Sequence, residues 1–478
     1  MKNLTRRCLF EDSVMTAAAI ALSSPLLGAD KPSSSANEKL TAAIIGCGIR
    51  GKAHAKELAK IADCDVAYVC DPDLDRADEV AKLLVELDRP MPKVVQDLRQ
   101  VYDDRSVDVV FVATPNHWHA LAAIWAMQAG KDVYCEKPVS HNVAEGRRIV
   151  QVARKLERIC QGGTQNRSRG AVAEAVKYMH AGKMGDVKLA RSIIYGTRPS
   201  IGGPAECAMP PRCDYNLWAG PAPLAKLTRP KFHYDWHWFW NTGNGEIGNN
   251  NIHSLDICRW GLGVTGLGKS VLSYGGRFGY TDVAETANTQ VGIFDFGDKT
   301  IVSETRGLKS APFHPAIKSM WFFYGSEGII ADNHLYDPEG KLVREFEGEA
   351  GNHFVNFLSA VRSRKQTDLA ADILEGHQST ALCHIANISY RLGKTAPPAE
   401  IEKRLSEMKV HDNVQETFDR TREHLKESNV DLDETQLTLG KVLHIDGNKE
   451  QFLDNTQADT MLARTYRAPF IVPKESDI

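Results

Sequence analysis

The sequence predicts an α/β protein: a doubly wound parallel sheet at the N-terminal end, then an α+β domain whose sheet is largely antiparallel and open. Three observations carry this. Strand-like and helix-like patterns alternate from Thr41 to about Cys160, the signature of parallel βαβ units. The first strand runs into a Gly-x-Gly-x-x-Gly turn and then at once into helix formers. After Gly163 the style changes to alternating strands separated by turn signals, with helices grouped after them.

The first strand is the apolar run Thr41 to Ile45, and the turn is Gly46-Cys47-Gly48-Ile49-Arg50-Gly51, opening a helix through Lys52 to Leu58. In that context Gly46 permits the tight turn, Gly48 lets the backbone approach a pyrophosphate, and Gly51 lets helix and strand pack closely. Phosphates would sit on the unpaired N–H groups at the helix start, with Ile49 and Arg50 beside them. Asp65 to Cys70 reads as the second strand and ends on Asp71, about 20 residues on, where an acid can bind the adenine ribose hydroxyls. The alternative for Asp71 is a turn or helix cap within Asp71-Pro72-Asp73. With turn and acid in register this is a Rossmann nucleotide site. Asp71 repels a 2′-phosphate, which favours NAD(H) over NADP(H), while Arg76 leaves that preference open.

Leu74 to Leu87 is an amphipathic helix, and Val107 to Ala113 a near-continuous apolar strand of the kind buried on both faces. That strand ends in Thr114-Pro115-Asn116-His117-Trp118-His119, before a helix to Ala129. Asp132 to Cys135 is a short strand ending in Glu136-Lys137-Pro138. Each polar cluster lies at the carboxyl end of a strand, where ligands bind such sheets. Further on, Lys188 to Tyr195 is a strand, followed by a Pro/Gly-rich loop to about Pro230, then Trp236-His237-Trp238-Phe239-Trp240 and a helix beginning near Glu246. Strands alternate from Val271 to about Phe346, two helices follow (about 353–364 and 376–392), and the last stretch is polar with helical pieces. This divides the chain into residues 1–38, 39–160, 161–395 and a C-terminal extension, 396–478, that could cover a site, support an oligomer or wrap the surface.

The 478 residues have an ordinary globular composition, with 25% charged and a net charge of −3. No basic block points to nucleic acid, and beyond the N-terminus no apolar run is long enough to span a bilayer. Arg6-Arg7 before an apolar, Ala-rich stretch from Val14 to Leu27, with Gly28-Ala29 as a small-residue cleavage region, reads as a twin-arginine export signal. Ser33 to Ser35 is then a spacer, and the expected compartment is the periplasm. A short apolar helix preceded by basic residues is the alternative. Of the ten cysteines, Cys47, Cys70 and Cys135 fall in or beside strands as small hydrophobes. Cys207 and Cys213, in the Gly/Pro-rich loop, read as a possible disulfide pair. His117, His119, His233 and His237 have no acidic or thiol partner at ligand spacing, so no metal is expected.

The glycine turn, Ala113-Thr114-Pro115-Asn116 with His119, the Glu136-Lys137-Pro138 triplet and a helix carrying His253 together resemble the glucose–fructose oxidoreductase / inositol dehydrogenase (Gfo/Idh/MocA) family, from about Leu40 to Leu392. Trp218 to Pro221 and the Asn-rich helix start resemble its exported members with a twin-arginine leader. The resemblance implies that Lys137 lies between nicotinamide and sugar, that His253 is the acid/base, and that Thr114 to Asn116, His119 and Glu136 serve the cofactor site. It also implies a dimer or tetramer built on the open face of the second sheet. Chemistry agrees: oxidising a secondary alcohol needs a base for the hydroxyl proton, and a nearby ammonium stabilises the developing alkoxide. A free lysine titrates near ~10.4, so Lys137 is a charged donor unless burial depresses it. Asn249 and Asn250 lie one helical turn before His253 and are expected to face the same way. Many family members carry Asp where this chain has Asn249, which can hold a hydroxyl but cannot take a proton. The alternative for His253 is a helix histidine satisfied by Asp256 or backbone.

Other substrate contacts are read from the residues. Trp236, Trp238 and Trp240 alternate, so in an extended segment they share one face on which a sugar can stack; core or an oligomer contact is the equal alternative. Arg167 follows a strand end, where it binds either substrate hydroxyls or a structural partner. Three functions follow: an NAD-dependent oxidoreductase on a sugar, polyol or glycoside with tightly held cofactor; an NAD-dependent glycoside hydrolase or lyase working by transient C3 oxidation; and a sugar-binding pseudoenzyme.

Overall fold

A computed structural model describes residues 39–205, 207–453 and 455–478. The proposed leader and spacer lie outside the described residues. The first sheet has six parallel strands, β1 (Leu40–Ile45), β2 (Cys64–Cys70), β3 (Lys93–Val95), β4 (Val109–Val112), β5 (Asp132–Cys135) and β6 (Cys160–Gly162), in the order β3-β2-β1-β4-β5-β6. Its order reverses between β1 and β4, so the crevice opens where β1 and β4 end, at Gly46 and Thr114. Helices pack both faces because these strands bury both faces; Phe111 and Tyr134 carry one core and Val110 and Val133 another. The chain returns to this domain later: the His353–Ser363 helix sets Phe354 and Phe357 against Phe111 and Tyr134.

The second sheet is mixed. Strands β7 (Leu189–Tyr195), β8 (Ser270–Gly276), β9 (Thr289–Asp295), β10 (Thr300–Arg306), β11 (Trp321–Gly325), β12 (Gly328–Ala331), β13 (His334–Tyr336) and β14 (Leu342–Glu345) are joined by β15 (Lys394–Ala396), β16 (Leu437–Leu439), β17 (Leu443–Asp446) and β18 (Gln451–Leu453). The main path is β14-β13-β12-β11-β7-β10-β9-β8-β16-β15, with β17 also on β8. β7 and β10 pair in parallel, while the other pairs are antiparallel.

Strand alternation sends Val271, Phe294 and Ile301 to one face, under the helices Ile252–Leu262 and Ile373–Arg391. Leu272, Tyr274, Ile293 and Val302 point the other way. The sequence leaves that second face open, and the family resemblance implies an oligomer built on it. Instead, the C-terminal extension covers it with Ile401, Leu405, Phe418 and Leu425 from the helices Pro398–Ser406 and Val414–Glu427. Those helices have strong apolar stripes, which the overall polarity of the segment conceals. The extension also supplies β16, β17 and β18, and its end returns to the first domain, where Phe470 packs edge-on against Trp118 at 5.4 Å.

Candidate active site

The glycine turn is shaped by contacts that exclude side chains. Gly46 has φ +91°, and a Cβ there would lie 2.6 Å from the Ala113 carbonyl. A Cβ on Gly51 would meet the Gly46 carbonyl oxygen at 2.0 Å, so only glycine lets the Ile49–Leu58 helix start this close to β1. At Gly48, by contrast, the space is open. No side chain caps this helix, leaving its first N–H groups to a ligand. Ile49, 71% exposed at the same lip, is an apolar surface a bound nucleotide would cover. Asp71 ends β2 and lines the cleft. Its Oδ2 accepts from the Cys47 N–H at 2.7 Å and its Oδ1 from the Asp73 N–H at 2.9 Å. Burial pushes its carboxyl up to about 6. Asp73, not Asp71, caps the Leu74–Glu86 helix.

One cleft runs from Asp71, Arg76 and Asp97 past Thr114, Pro115, Asn116 and His119 to Lys137, Asn249 and Asn250. Asn116 Nδ2 donates to Asn244 Oδ1 at 3.0 Å, tying the β4 loop to the second domain. Both ring nitrogens of His119 face carbonyls, Thr114 at 2.7 Å and Pro138 at 2.6 Å, so this ring fastens the two cofactor loops together. Glu136 is not a cleft-lining group. It is 2% exposed, and one carboxylate oxygen receives Arg50, His54 at 2.9 Å and Gln165 at 3.2 Å. These partners, His54 and Arg50 foremost, hold its carboxyl well below the usual range against the burial that opposes them. Its part is to hold Arg50, which does line the cleft.

Lys137 Nζ donates to the Asn249 carbonyl, and burial lowers its pKa. Burial thus works against the charged form of this amine. The helix start is a π turn, Ile247–Asn251, that passes into an α-helix at Ile252. Asn249 and Asn250 line the cleft, whereas His253 is partly buried and is not a lining residue. The one-face expectation assumed α spacing, and the wider π turn breaks it. Burial, then the Lys137 charge, push His253 down to about 3, and no hydrogen bond engages its ring among the described residues. Asp256 does not satisfy it, because that carboxylate takes Arg167 at 2.8 and 2.9 Å and Ser379 at 2.7 Å. Arg167 is thereby corrected as a substrate contact. It is 7% exposed, spent on Asp256 and on Glu375 at 3.1 Å, and lies away from the cleft lining.

The Pro/Gly-rich segment roofs the groove. The Asp214 N–H donates to the Pro72 carbonyl at 2.9 Å, and Arg212 pairs with Asp75 at 2.8 Å and Asp78 at 2.7 Å. His233 meets Asp73 at 2.7 Å. Cys213 sits in a β-bridge with Asp73, and Cys207 and Cys213, a possible pair by sequence, are both free thiols. The tryptophan run is also corrected: Asp235–Trp238 is a 3₁₀ turn, not an extended segment. Trp236 lines the cleft with His237 stacked on it at 3.6 Å, while Trp238 is buried. Trp240 leaves the cleft and faces Arg391 at 4.9 Å. Sequence reading missed Arg198, Trp218, Tyr234 and His237 as lining residues. Their loop has no periodicity to orient them; only their density of aromatic and basic side chains was a signal. His237 donates from Nδ1 to the Tyr234 carbonyl at 2.5 Å, and burial pushes it down to about 3, so its neutral Nε2 lone pair is left for the cleft. Among the described residues no cluster of three His, Cys, Asp or Glu gathers to hold a metal.

Residues 40–164 match the model of the Gfo/Idh/MocA oxidoreductase family, NAD-binding Rossmann fold. The chain is similar to scyllo-inositol 2-dehydrogenase (NAD(+)) of Bacillus subtilis, with 31% identity over 144 residues covering 30% of this chain and 41% of the relative. It is also similar to an alpha-N-acetylgalactosaminidase of Shewanella oneidensis, with 29% identity over 127 residues, 26% of this chain and 28% of the relative. A glycosyl hydrolase family 109 protein of Shewanella pealeana is 31% identical over 120 residues, 24% of this chain and 26% of the relative. The chain thus matches about a quarter to two fifths of the length of these relatives. The WlbA dehydrogenase of Bordetella pertussis, solved with NADH and UDP-GlcNAcA, covers 73% of this chain and 97% of its own at a TM-score of 0.55 and 19% identity, which establishes a shared two-domain fold. The N-terminal domain thus matches the NAD-binding Rossmann fold of this oxidoreductase family, and NAD is the cofactor.

Proposed function

We propose that the chain is an NAD(H)-dependent oxidoreductase acting on a sugar, polyol or glycoside by hydride transfer at a secondary alcohol, with its cofactor tightly held. One observation carries the reading: Lys137 stands in a single cleft between the nucleotide turn and a polar, aromatic pocket. Gly46, Gly48, Ile49, Arg50, Asp71 and Thr114 to Asn116 are the residues that would hold NAD. Bound there, NAD supplies the hydride acceptor. Lys137 Nζ takes the hydroxyl proton as the alcohol is oxidised and returns it in reduction. His253, held neutral by burial beside Lys137, is the other candidate acid/base for that proton. Asn250, Trp236 and Tyr234 orient the sugar. The roof over Asp73 and Asp75 supports slow exchange of the nucleotide, which suits an exported enzyme in a compartment poor in free cofactor. Export by the twin-arginine signal at Arg6-Arg7 to the periplasm belongs to the same proposal.

A second reading is favoured by the relatives named as glycosyl hydrolase family 109 proteins and alpha-N-acetylgalactosaminidase. Oxidation at C3 acidifies the neighbouring C–H, a base removes that proton, elimination expels the aglycone, and the hydride returns after water adds. His237, neutral in the cleft, is the available second proton acceptor.

The test uses chain purified without added nucleotide, with sugars and glycosides added singly while the reduced-nicotinamide absorbance is followed. A stoichiometric burst that persists supports the dehydrogenase; a transient signal with released aglycone supports the hydrolase. Silence, with no nucleotide released on denaturation, removes both and leaves the pseudoenzyme. Lys137→Met is expected to abolish turnover while leaving bound NAD in place.

A further inference from the structure

The helix start beside Lys137 carries a carboxylate that the reading above does not use. Glu246 is 3% exposed and directly precedes the π turn Ile247–Asn251. Its Oε2 accepts from Asn249 Nδ2 at 3.1 Å, and its Oε1 from Arg198 Nη2 at 2.8 Å. Asn249 is the residue whose carbonyl receives Lys137 Nζ. Arg198 in turn reaches Tyr234 Oη at 3.3 Å and lies 5.8 Å from the Trp238 ring, so it is held at both ends. A continuous chain therefore runs from the roof segment through Arg198, Glu246 and Asn249 to Lys137. One-turn π segments recur where a helix presents backbone or side chains to a site.

The charged groups facing Lys137 are Glu136 and Arg50 from the first domain and Glu246 and Arg198 from the second; the imidazoles of His237 and His253 are neutral. Glu136 is occupied by Arg50, His54 and Gln165. Arg50 and Arg198 both oppose an ammonium at Lys137. Without Glu246, Arg198 would stand unneutralised beside the cleft lysine, and the Asn249 side chain would lose its anchor.

We propose that Glu246 is a positioning residue for Lys137: it anchors Asn249, whose carbonyl receives Nζ, and neutralises Arg198. Its consequence rests on the proposed role of Lys137 in proton transfer, but its test does not.

The test is competitive acylation of the full chain with trace acetic anhydride from neutral to alkaline pH, reading Lys137 by peptide mass spectrometry. Glu246→Gln is expected to move the Lys137 titration to lower pH, raising its labelling at neutral pH about threefold or more, as loss of a nearby opposite charge requires. Adding Asn249→Asp to that variant returns the titration towards the parent. Asn249→Ala keeps the peptide carbonyl but cuts its tie to Glu246, so it shifts the titration the same way and by less; it decides the matter if Glu246→Gln does not fold. An unchanged Lys137 titration in the folded variant overturns the assignment. Because no turnover is read, a chain that labels as expected yet oxidises no sugar keeps this assignment while the functional reading fails.

Discussion

Asp71 holds two backbone N–H groups and lines the cleft, yet burial still raises its carboxyl to about 6. In its proposed role the ionised form receives the NAD ribose hydroxyls, so NAD binding would expel the proton below that pH. Affinity is therefore expected to be flat above about pH 6 and to fall as pH drops through it. Fluorescence titration of nucleotide-stripped chain checks this. Asp71→Asn removes the pH dependence and costs about 1.5–3 kcal/mol of affinity at neutral pH, the worth of hydrogen bonds to a charged group. For folding the sign is the reverse of a paired acid: the raised pKa means the folded chain takes up a proton between about pH 4 and 6, so this contribution weakens as pH rises through that window. Arg167 makes a different prediction. Arg167→Met strands Asp256 in the interior and is expected to cost about 3–5 kcal/mol in denaturant unfolding. Arg167→Met with Asp256→Leu recovers most of it, and a substrate role would show no such recovery.

Two glycines of one turn separate stability from binding. Gly51→Ala places a methyl 2.0 Å from the Gly46 carbonyl, so the Ile49–Leu58 helix must move off β1. A loss of about 1–3 kcal/mol is expected, read as a lowered Tm even without nucleotide. Gly48→Ala meets open space and has φ −73°, so its Tm without nucleotide should match the parent. Its NAD affinity should fall, because the methyl enters the space the pyrophosphate needs. If both variants lose affinity and neither loses stability, the packing argument for Gly51 fails. The strand–turn–helix unit was legible because each part is set by near neighbours. The π turn at Ile247–Asn251 was not: its residues read as α-helix, and its partners come from far along the chain, Lys137 at the Asn249 carbonyl, Cys383 at the Ile247 carbonyl, and Ser192 and Thr305 at the Asn251 side chain.

Across the whole molecule the C-terminal extension decides what the second sheet can do. Phe418 and Leu425 cover Tyr274 and Ile293, and Arg420 reaches Glu304 on β10 at 2.8 Å while Asp412 takes Arg191 on β7. A chain ending at residue 395 would bare that apolar face together with the Arg191–Glu304 pair, stripped of Asp412 and Arg420. It is expected to aggregate or to unfold at lower temperature, as light scattering and calorimetry would show. A truncated chain that stays monodisperse at the parent Tm would argue that the extension is an independent layer. Association of the full chain through this face requires the Pro398–Ser406 and Val414–Glu427 helices to lift.

The sequence by itself determined the nucleotide half: β1, the glycine turn, Asp71 at the end of β2, and Thr114 and Lys137 at the ends of β4 and β5. Periodicity and turn chemistry are local, and a parallel sheet brings every strand end to one edge. Which partner satisfies a buried charge is a long-range matter. Arg167 found Asp256 and Glu375, Glu136 found Arg50 and His54, and Glu246 found Arg198, none of them neighbours in the chain. The same holds for the surfaces that close the cleft and the sheet. Trp236 and His237 reach the site while Trp238 and Trp240 do not, because a 3₁₀ turn replaced the extended segment that alternation suggested. Tertiary structure alone settled those assignments, since burying a charge or an aromatic ring depends on what the folded chain sets opposite it.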